Sequence, residues 1–446
     1  MSKLMISISG VRGIVGDSLT PQVLIDFSCA FAKYVNHGTV VVGQDTRPSG
    51  AAVRDLVTGT LRLCGCNVID LGVATTPTVE IMVKKFKAGG GIIVTASHNN
   101  IEWNALKFVG SSGMFLNQQE ADKLIEIYKN KNFKNVEAKL VGKFEVYSKA
   151  DDDHIDLILS KIDCSAISKK KFKVILDSCN GAGSLITQKF LERLGCKVVC
   201  VNCSLEKPFP RNPEPVISNL GDTIKFAKEN KADVCFIQDP DADRLAIISE
   251  KGEFIGEEYT LALACKEILH HKKGPVVVNV STSLMVDEVA KQYGVKVFKT
   301  KVGEINVSEK MKEIGAVAGG EGNGGVICPE FHYGRDSLVG IAFVLSLMAR
   351  TGKSISELCK EIPFFVMKKA KIEISKDEML QKTSCLLKDF SDAILDEVDG
   401  FKFCYPTKWV QVRASNTEPI VRIMAEAMTE KEACELINKV EKILRS

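Results

Sequence analysis

Gly89-Gly90-Gly91-Ile92-Ile93-Val94-Thr95-Ala96-Ser97-His98-Asn99 is the stretch from which the rest of the chain can be read. Its first half, apolar with β-branched neighbours, predicts a buried strand. Ser97 then falls where that strand hands over to a loop. A hydroxyl held on a rigid element, between small Ala96 and polar His98, Asn99 and Asn100, suits a nucleophile or a phosphate carrier. In isolation Ser-His-Asn reads as a polar turn. Elsewhere, however, the chain supplies a metal site and two anion sites suited to a phosphorylated serine.

Upstream, Ser9-Gly10-Val11-Arg12-Gly13 brackets an arginine with glycines, which lets the backbone bring a guanidinium close to an anion. A helix-like stretch from Pro21 to Tyr34 and a strand from Thr39 to Val42 lead into the polar loop from Gly43 to Gly50, and another helical stretch follows from Ala51 to Cys64. Strands alternating with helices predict an α/β sheet covered on both faces. Such sheets bind ligands at their strand ends, where Asp45, Arg47 and Ser97 fall. Downstream, Lys107 lies within about ten residues of the serine, close enough to act as a general acid or base. A first domain boundary is expected among the lysine-rich segments between Lys131 and Lys173.

With 446 residues and 45% hydrophobic residues, the chain should divide into roughly three or four domains. Its 59 basic and 56 acidic residues leave a formal charge of +3, too little for a nucleic-acid-binding field. The N-terminus lacks the apolar stretch of a secretion signal, and no apolar segment approaches the roughly 20 residues that span a bilayer. The expectation is a cytoplasmic protein. Its 15 cysteines are scattered and should be reduced. Cys196, Cys200 and Cys203 lack a fourth ligand for zinc and are expected to be small buried hydrophobes.

Gln238-Asp239-Pro240-Asp241-Ala242-Asp243-Arg244 carries the clearest chemistry. Three alternating carboxylates follow the strand Val234 to Ile237, and Pro240 argues against an ordinary central strand. Carboxylates crowded in this way suit magnesium, a hard cation that takes oxygen ligands. Other loops are polar too. Gly181-Ala182-Gly183 reads as a tight strand-to-helix turn, and Pro208 to Pro215 as an extended loop. A strand from Ala316 to Ala318 should run into a glycine-rich loop from Gly319 to Gly325, where Glu321 and Asn323 can read sugar hydroxyls. In the last unit, Arg413-Ala414-Ser415-Asn416-Thr417-Glu418-Pro419 and Arg422 could cradle a phosphate dianion.

In order and approximate spacing, these motifs resemble the α-D-phosphohexomutase family, which includes phosphoglucosamine mutase and phosphomannomutase/phosphoglucomutase. The likeness covers essentially the whole chain. It implies three similar three-layer α/β/α domains with mixed sheets plus a smaller C-terminal α+β domain, all arranged around one cleft. The domains are expected at 1–150, 151–250, 251–363 and 364–446. By this resemblance Ser97 is the phosphoserine, and Asp239, Asp241 and Asp243 hold Mg2+ together with its phosphate. Arg12, His98, Lys107 and Arg244 are the implied active-site polar groups. Lys301 and Gly303 to Glu304 match a sugar-contacting loop, with Glu321 and Asn323 on the hydroxyl-reading loop. Arg413, Ser415, Asn416, Thr417 and Arg422 form the implied phosphate clamp. The implied reaction interconverts hexose 6-phosphate and hexose 1-phosphate through a bisphosphate, with hexose 1,6-bisphosphate as activator, in a monomer or homodimer.

Two departures stand out. Pro240 and Ala242 replace glycines of the commoner metal loop, while all three acids remain. Asn323-Gly324-Gly325 replaces a commoner Ser-Gly-His, which leaves His332 as the residue that could compensate. This variant loop resembles archaeal-type members, many labelled phosphoglucosamine mutases, so glucosamine phosphate is the leading substrate and mannose or glucose phosphate follows. A magnesium-dependent phosphatase could use the same serine and acids, yet it would not need the clamp. A non-catalytic sugar-phosphate binding protein would not need the serine, the acids or Lys107.

Overall fold

The computed structural model describes residues 4–133, 135–414 and 420–445. Its first three domains repeat one four-stranded unit. In the first domain the strands Val40–Gln44, Val68–Val73, Gly90–Val94 and Trp103–Gly110 lie side by side in the spatial order fourth, third, first, second. Lys173–Asp177, Lys197–Val201, Val234–Gln238 and Leu245–Ser249 take the same order in the second domain. So do Val276–Asn279, Val297–Thr300, Ala318–Glu321 and Gly325–Ile327 in the third. In each unit the fourth strand runs antiparallel to the third while the other pairs are parallel, so all three sheets are mixed.

Burial explains the strand sequences. Val40–Gln44, Gly90–Val94 and Val234–Gln238 are buried along their whole length, and strands covered on both faces read as continuous apolar runs without alternation. The flanking helices begin where capping chemistry allows. Thr20 accepts from Val23 N ahead of Pro21, and Asn117 forms a capping box with Glu120.

The first sheet is extended at both edges, to seven strands in all. Gly10–Ile14 pairs with the fourth strand and sets Arg12 opposite Ala105, two residues from Lys107. This pairing requires glycine at position 10, where φ is +112° and a Cβ would lie 2.0 Å from the Leu106 carbonyl oxygen. The second and third domains share one continuous hydrophobic cluster, running from Ile155 and Phe190 through Leu261 and Leu263 to Val344.

The last domain is a five-stranded antiparallel sheet, from Val366–Ile372 to Ile394–Asp396 at its edges. Helices Lys376–Gln381, Thr383–Asp389 and Glu430–Arg445 contribute to a single core against it. Lys376–Gln381 and Thr383–Asp389 are two short helices in succession.

The glycine-rich stretch 319–325 also differs from its sequence reading. Gly319 and Gly320 are strand residues, and only 322–324 turn. A Cβ at Gly319 would come within 2.5 Å of Met311 Sδ, so the glycine serves close packing of a strand against a helix. All 15 cysteines are free, but Cys200 is exposed on the edge strand Lys197–Val201 and is no buried hydrophobe. Among the described residues no helix is long and apolar enough to cross a membrane.

Candidate active site

In each of the three repeated units, the connection from third to fourth strand carries the chemistry. Ser97, Asp239 to Asp243 and Asn323 lie there, Glu321 ends the third strand just before it, and the three connections converge. Ser97 is buried and held at φ +50°, in the left-handed region that costs a non-glycine residue about 1–3 kcal/mol. Its surroundings hold that conformation. Thr95 Oγ1 accepts from Ser97 N at 3.0 Å and donates to Asp45 Oδ2 at 2.6 Å. Arg47 pairs with Asp45 at 3.0 Å and donates to the carbonyls of Ser97, Asn99, Asn100 and Trp103. Asp45 and Arg47, read from sequence at a ligand-binding strand end, are instead a buried brace beneath the serine loop.

Ser97 Oγ donates to Asp239 Oδ2 at 2.9 Å and lies 3.3 Å from His98 Nδ1. Arg244, then burial, then Arg12 hold the His98 pKa well below its usual value, so the imidazole is neutral at neutral pH. Arg12 itself donates to Asn99 Oδ1 at 2.5 Å.

Asp239, Asp241 and Asp243 are fully buried, each with a carboxylate oxygen within 4.8 Å of the others. Thr76 and Lys107 bond Asp241 Oδ2 at 2.6 and 2.7 Å, and Arg335 bonds Asp243 Oδ2 at 2.5 Å. Asp241 Oδ1 and Asp243 Oδ1 are buried without a hydrogen-bond partner. Burial and the neighbouring acids Asp243 and Asp241 push the Asp239 pKa well up. Two orphaned carboxylate oxygens and a third acid under like-charge pressure fit a hard divalent cation. Lys107 is held as ammonium, because Asp241 and Asp243 outweigh the burial that opposes its charge.

Above this cluster a cleft of about 850 Å³ is lined by Arg12, Ser97, His98, Lys107, Arg244, Gly303, Glu321, Asn323, Arg413 and Arg422 among others. Lys301 is exposed and is not among those lining residues. Glu321 Oε1 accepts from Asn279 Nδ2 and Gly303 N, both at 2.8 Å, and Oε2 accepts from Arg335 Nη1 at 2.8 Å. Burial raises its pKa, but Arg335 and these donors outweigh it and keep Glu321 ionised, an acceptor for hydroxyls. Among the cleft-lining residues, strand register sets Arg413 opposite Arg422 and Arg422 opposite Lys371. Like charges placed cross-strand repel, so this row is suited to an anion. Ser415, Asn416 and Thr417 lie outside the described residues.

Models of the phosphoglucomutase/phosphomannomutase family match in chain order: α/β/α domain I at residues 4–135, domain II at 152–252, domain III at 256–364 and the C-terminal domain at 365–443. The chain belongs to this family. As a phosphohexomutase it is an isomerase of the phosphomutase class. It is 37% identical over 445 residues to a phosphoglucomutase/phosphomannomutase of Thermococcus kodakarensis, covering 98% of this chain and 97% of the relative. It is 32% identical to a phosphoglucosamine/phosphogalactosamine mutase of Sulfurisphaera tokodaii, covering 98% of each. The crystal structure of a family protein from Burkholderia thailandensis, 25% identical, superposes with a TM-score of 0.85 over 99% of this chain and 98% of that one.

Two features of this phosphohexomutase escape sequence reading. Arg335 follows His332-Tyr333-Gly334, where nothing nearby marks it, and its role depends on carboxylates from distant segments. His332 does not line the cleft. Its Nε2 lies 3.0 Å from Asp336 Oδ2, and its Nδ1 lies 3.6 Å from Glu80 Oε2. The imidazole is part of a buried network that His154 completes through Asp336 at 2.8 Å, and it does not stand in for the missing loop histidine.

Proposed function

We propose that this phosphohexomutase interconverts hexose 6-phosphate and hexose 1-phosphate through phospho-Ser97 and a bisphosphorylated sugar that turns around within the cleft. The observation that carries the reading is that Ser97, bonded to Asp239, lines one cleft together with the cationic row Lys371, Arg422 and Arg413. One end of a bisphosphate would meet the serine and the other the row, with Glu321 and Asn323 reading hydroxyls between them.

Asp239, Asp241 and Asp243, with phospho-Ser97, would hold Mg2+, which when bound offsets charge on the transferring phosphoryl group. Arg12 and Arg244 add fixed positive charge at that end. As an ammonium, Lys107 serves as acid for the Ser97 oxygen when the phosphoryl group leaves it. Enclosing the sugar between the four domains excludes the water that would otherwise hydrolyse the phosphoserine. Hexose 1,6-bisphosphate is the activator that loads Ser97.

Glucosamine 6-phosphate is the leading substrate in this proposal. The archaeal-type loop around Asn323 and the name of the Sulfurisphaera relative support it. Mannose or glucose phosphate is the second reading, favoured by the name of the Thermococcus relative. The test is turnover of glucosamine 6-phosphate, mannose 1-phosphate and glucose 1-phosphate, with Mg2+ and a trace of hexose bisphosphate, beside Ser97→Ala. Isomerised product lost in the variant is the expected result, and the ranking of sugars names the substrate. Inorganic phosphate as the main product would replace the mutase with a phosphatase.

A further inference from the structure

Arg335 is buried at the floor of the cleft, and its guanidinium joins three carboxylates from three separate segments. Nη2 donates to Asp243 Oδ2 at 2.5 Å, Nη1 to Glu321 Oε2 at 2.8 Å and Nε to Glu304 Oε2 at 2.8 Å. Asp243 belongs to the acid loop of the second domain, Glu321 to the end of strand Ala318–Glu321 in the third, and Glu304 to the start of helix Glu304–Ile314. The backbone beneath is anchored. Asp336, the next residue, caps helix Ser337–Thr351 through Leu338 N and Val339 N and is bonded by both His154 and His332.

We propose that Arg335 is a positioning residue that couples the cation site to the sugar-reading site. This inference rests on the functional reading above. Asp243 is divided between two tasks, its Oδ2 on Arg335 and its buried Oδ1 without a hydrogen-bond partner, with Arg244 Nε 3.9 Å away as its ion-pair neighbour. With a cation held by Asp239, Asp241 and Asp243, less carboxylate charge on Asp243 would face Arg335, whose guanidinium would then commit more fully to Glu321 and Glu304. Glu321 is then held in the orientation set by Asn279 and Gly303, ready for sugar hydroxyls. By linkage, the sugar tightens the cation by the same factor as the cation tightens the sugar. The guanidinium meets the three carboxylates through three separate nitrogens at fixed angles, and a lysine, with one nitrogen on a shorter stem, cannot reproduce that spread.

The test is equilibrium titration calorimetry on dephosphorylated protein without bisphosphate, so that no turnover occurs. The probe is whichever of glucosamine 6-, glucose 6- or mannose 6-phosphate the wild type binds most tightly, titrated with and without MgCl2. The ratio of the two dissociation constants is the coupling factor. Wild type is expected to show at least about a fivefold factor, the lower range of measured couplings. Arg335→Met and Arg335→Lys are both expected to reduce it several-fold, with the lysine variant showing that the fork and not the charge is responsible. Thermal unfolding of each variant establishes that it is folded, and the lysine variant carries the test if the methionine variant does not fold. Binding with an unchanged coupling factor in both variants overturns the role of Arg335 alone. A wild type that binds none of the three sugars overturns the functional reading together with it.

Discussion

Arg47 shows how much of this site is built from residues that never meet a substrate. Its guanidinium is fully buried and is bonded to four carbonyls of the segment 97–103, besides its ion pair with Asp45. Those bonds pin the Ser97 loop in a conformation that a free chain would rarely adopt. Replacing Arg47 with Met should leave Asp45 buried without its partner, at a cost of about 3–5 kcal/mol. Urea unfolding would read that loss, and turnover should fall further than stability because the serine loop relaxes. A variant with full activity would show that the loop holds itself.

At the scale of elements, helices from all three repeated domains meet at one buried network. Glu80 comes from Thr76–Lys85, His154 from Ala150–Leu159, and Asp336 caps Ser337–Thr351, with His332 between Glu80 and Asp336. Burial opposes a charge on His332, but the hydrogen bond with Asp336 at 3.0 Å and the nearby Glu80 carboxylate at 3.6 Å outweigh burial and raise its pKa to about 10. The folded state therefore holds this proton more tightly than an unfolded chain, whose value is near 6.5. The stabilisation is complete below pH 6.5 and is lost as pH rises through about 10. His332→Asn should destabilise the protein by about 3 kcal/mol near pH 6, as expected for a broken buried pair, and the gap to wild type should close near pH 10. A gap independent of pH would remove His332 from the titration.

For the whole molecule, the acid cluster Asp239, Asp241 and Asp243 is the point where domains are tied. Asp241 is bonded by Thr76 and Lys107 of the first domain, and Asp243 by Arg335 of the third. An ion that relieves the crowding of the three acids should raise the unfolding temperature of the whole chain. At Mg2+ a hundredfold above its dissociation constant, the gain is about 2.7 kcal/mol. Differential scanning calorimetry with saturating Mg2+ and with chelator would measure it, with Asp243→Asn as the variant expected to lose the shift. Equal transitions in both conditions for wild type would sink the cation reading.

The position of each candidate group was legible in the sequence because each sits at or just after the end of a strand whose apolar run is itself legible. Ser97 after Gly90–Val94 and the three acids after Val234–Gln238 are local signals, written within a dozen residues. The α/β alternation was readable for the same reason, since buried parallel strands and their helices carry their own periodicity. What tertiary structure alone decided is which distant segments meet. That Arg335 joins Asp243 to Glu321, that Arg47 supports Ser97, and that His332 is turned toward Glu80 depend on contacts between residues far apart in the chain. The cationic row is equally a product of register, because nothing in the sequence around Lys371 says that it lies beside Arg422. Local propensity specifies an element and the loop at its end, while charge pairing across domains is specified only when those elements pack.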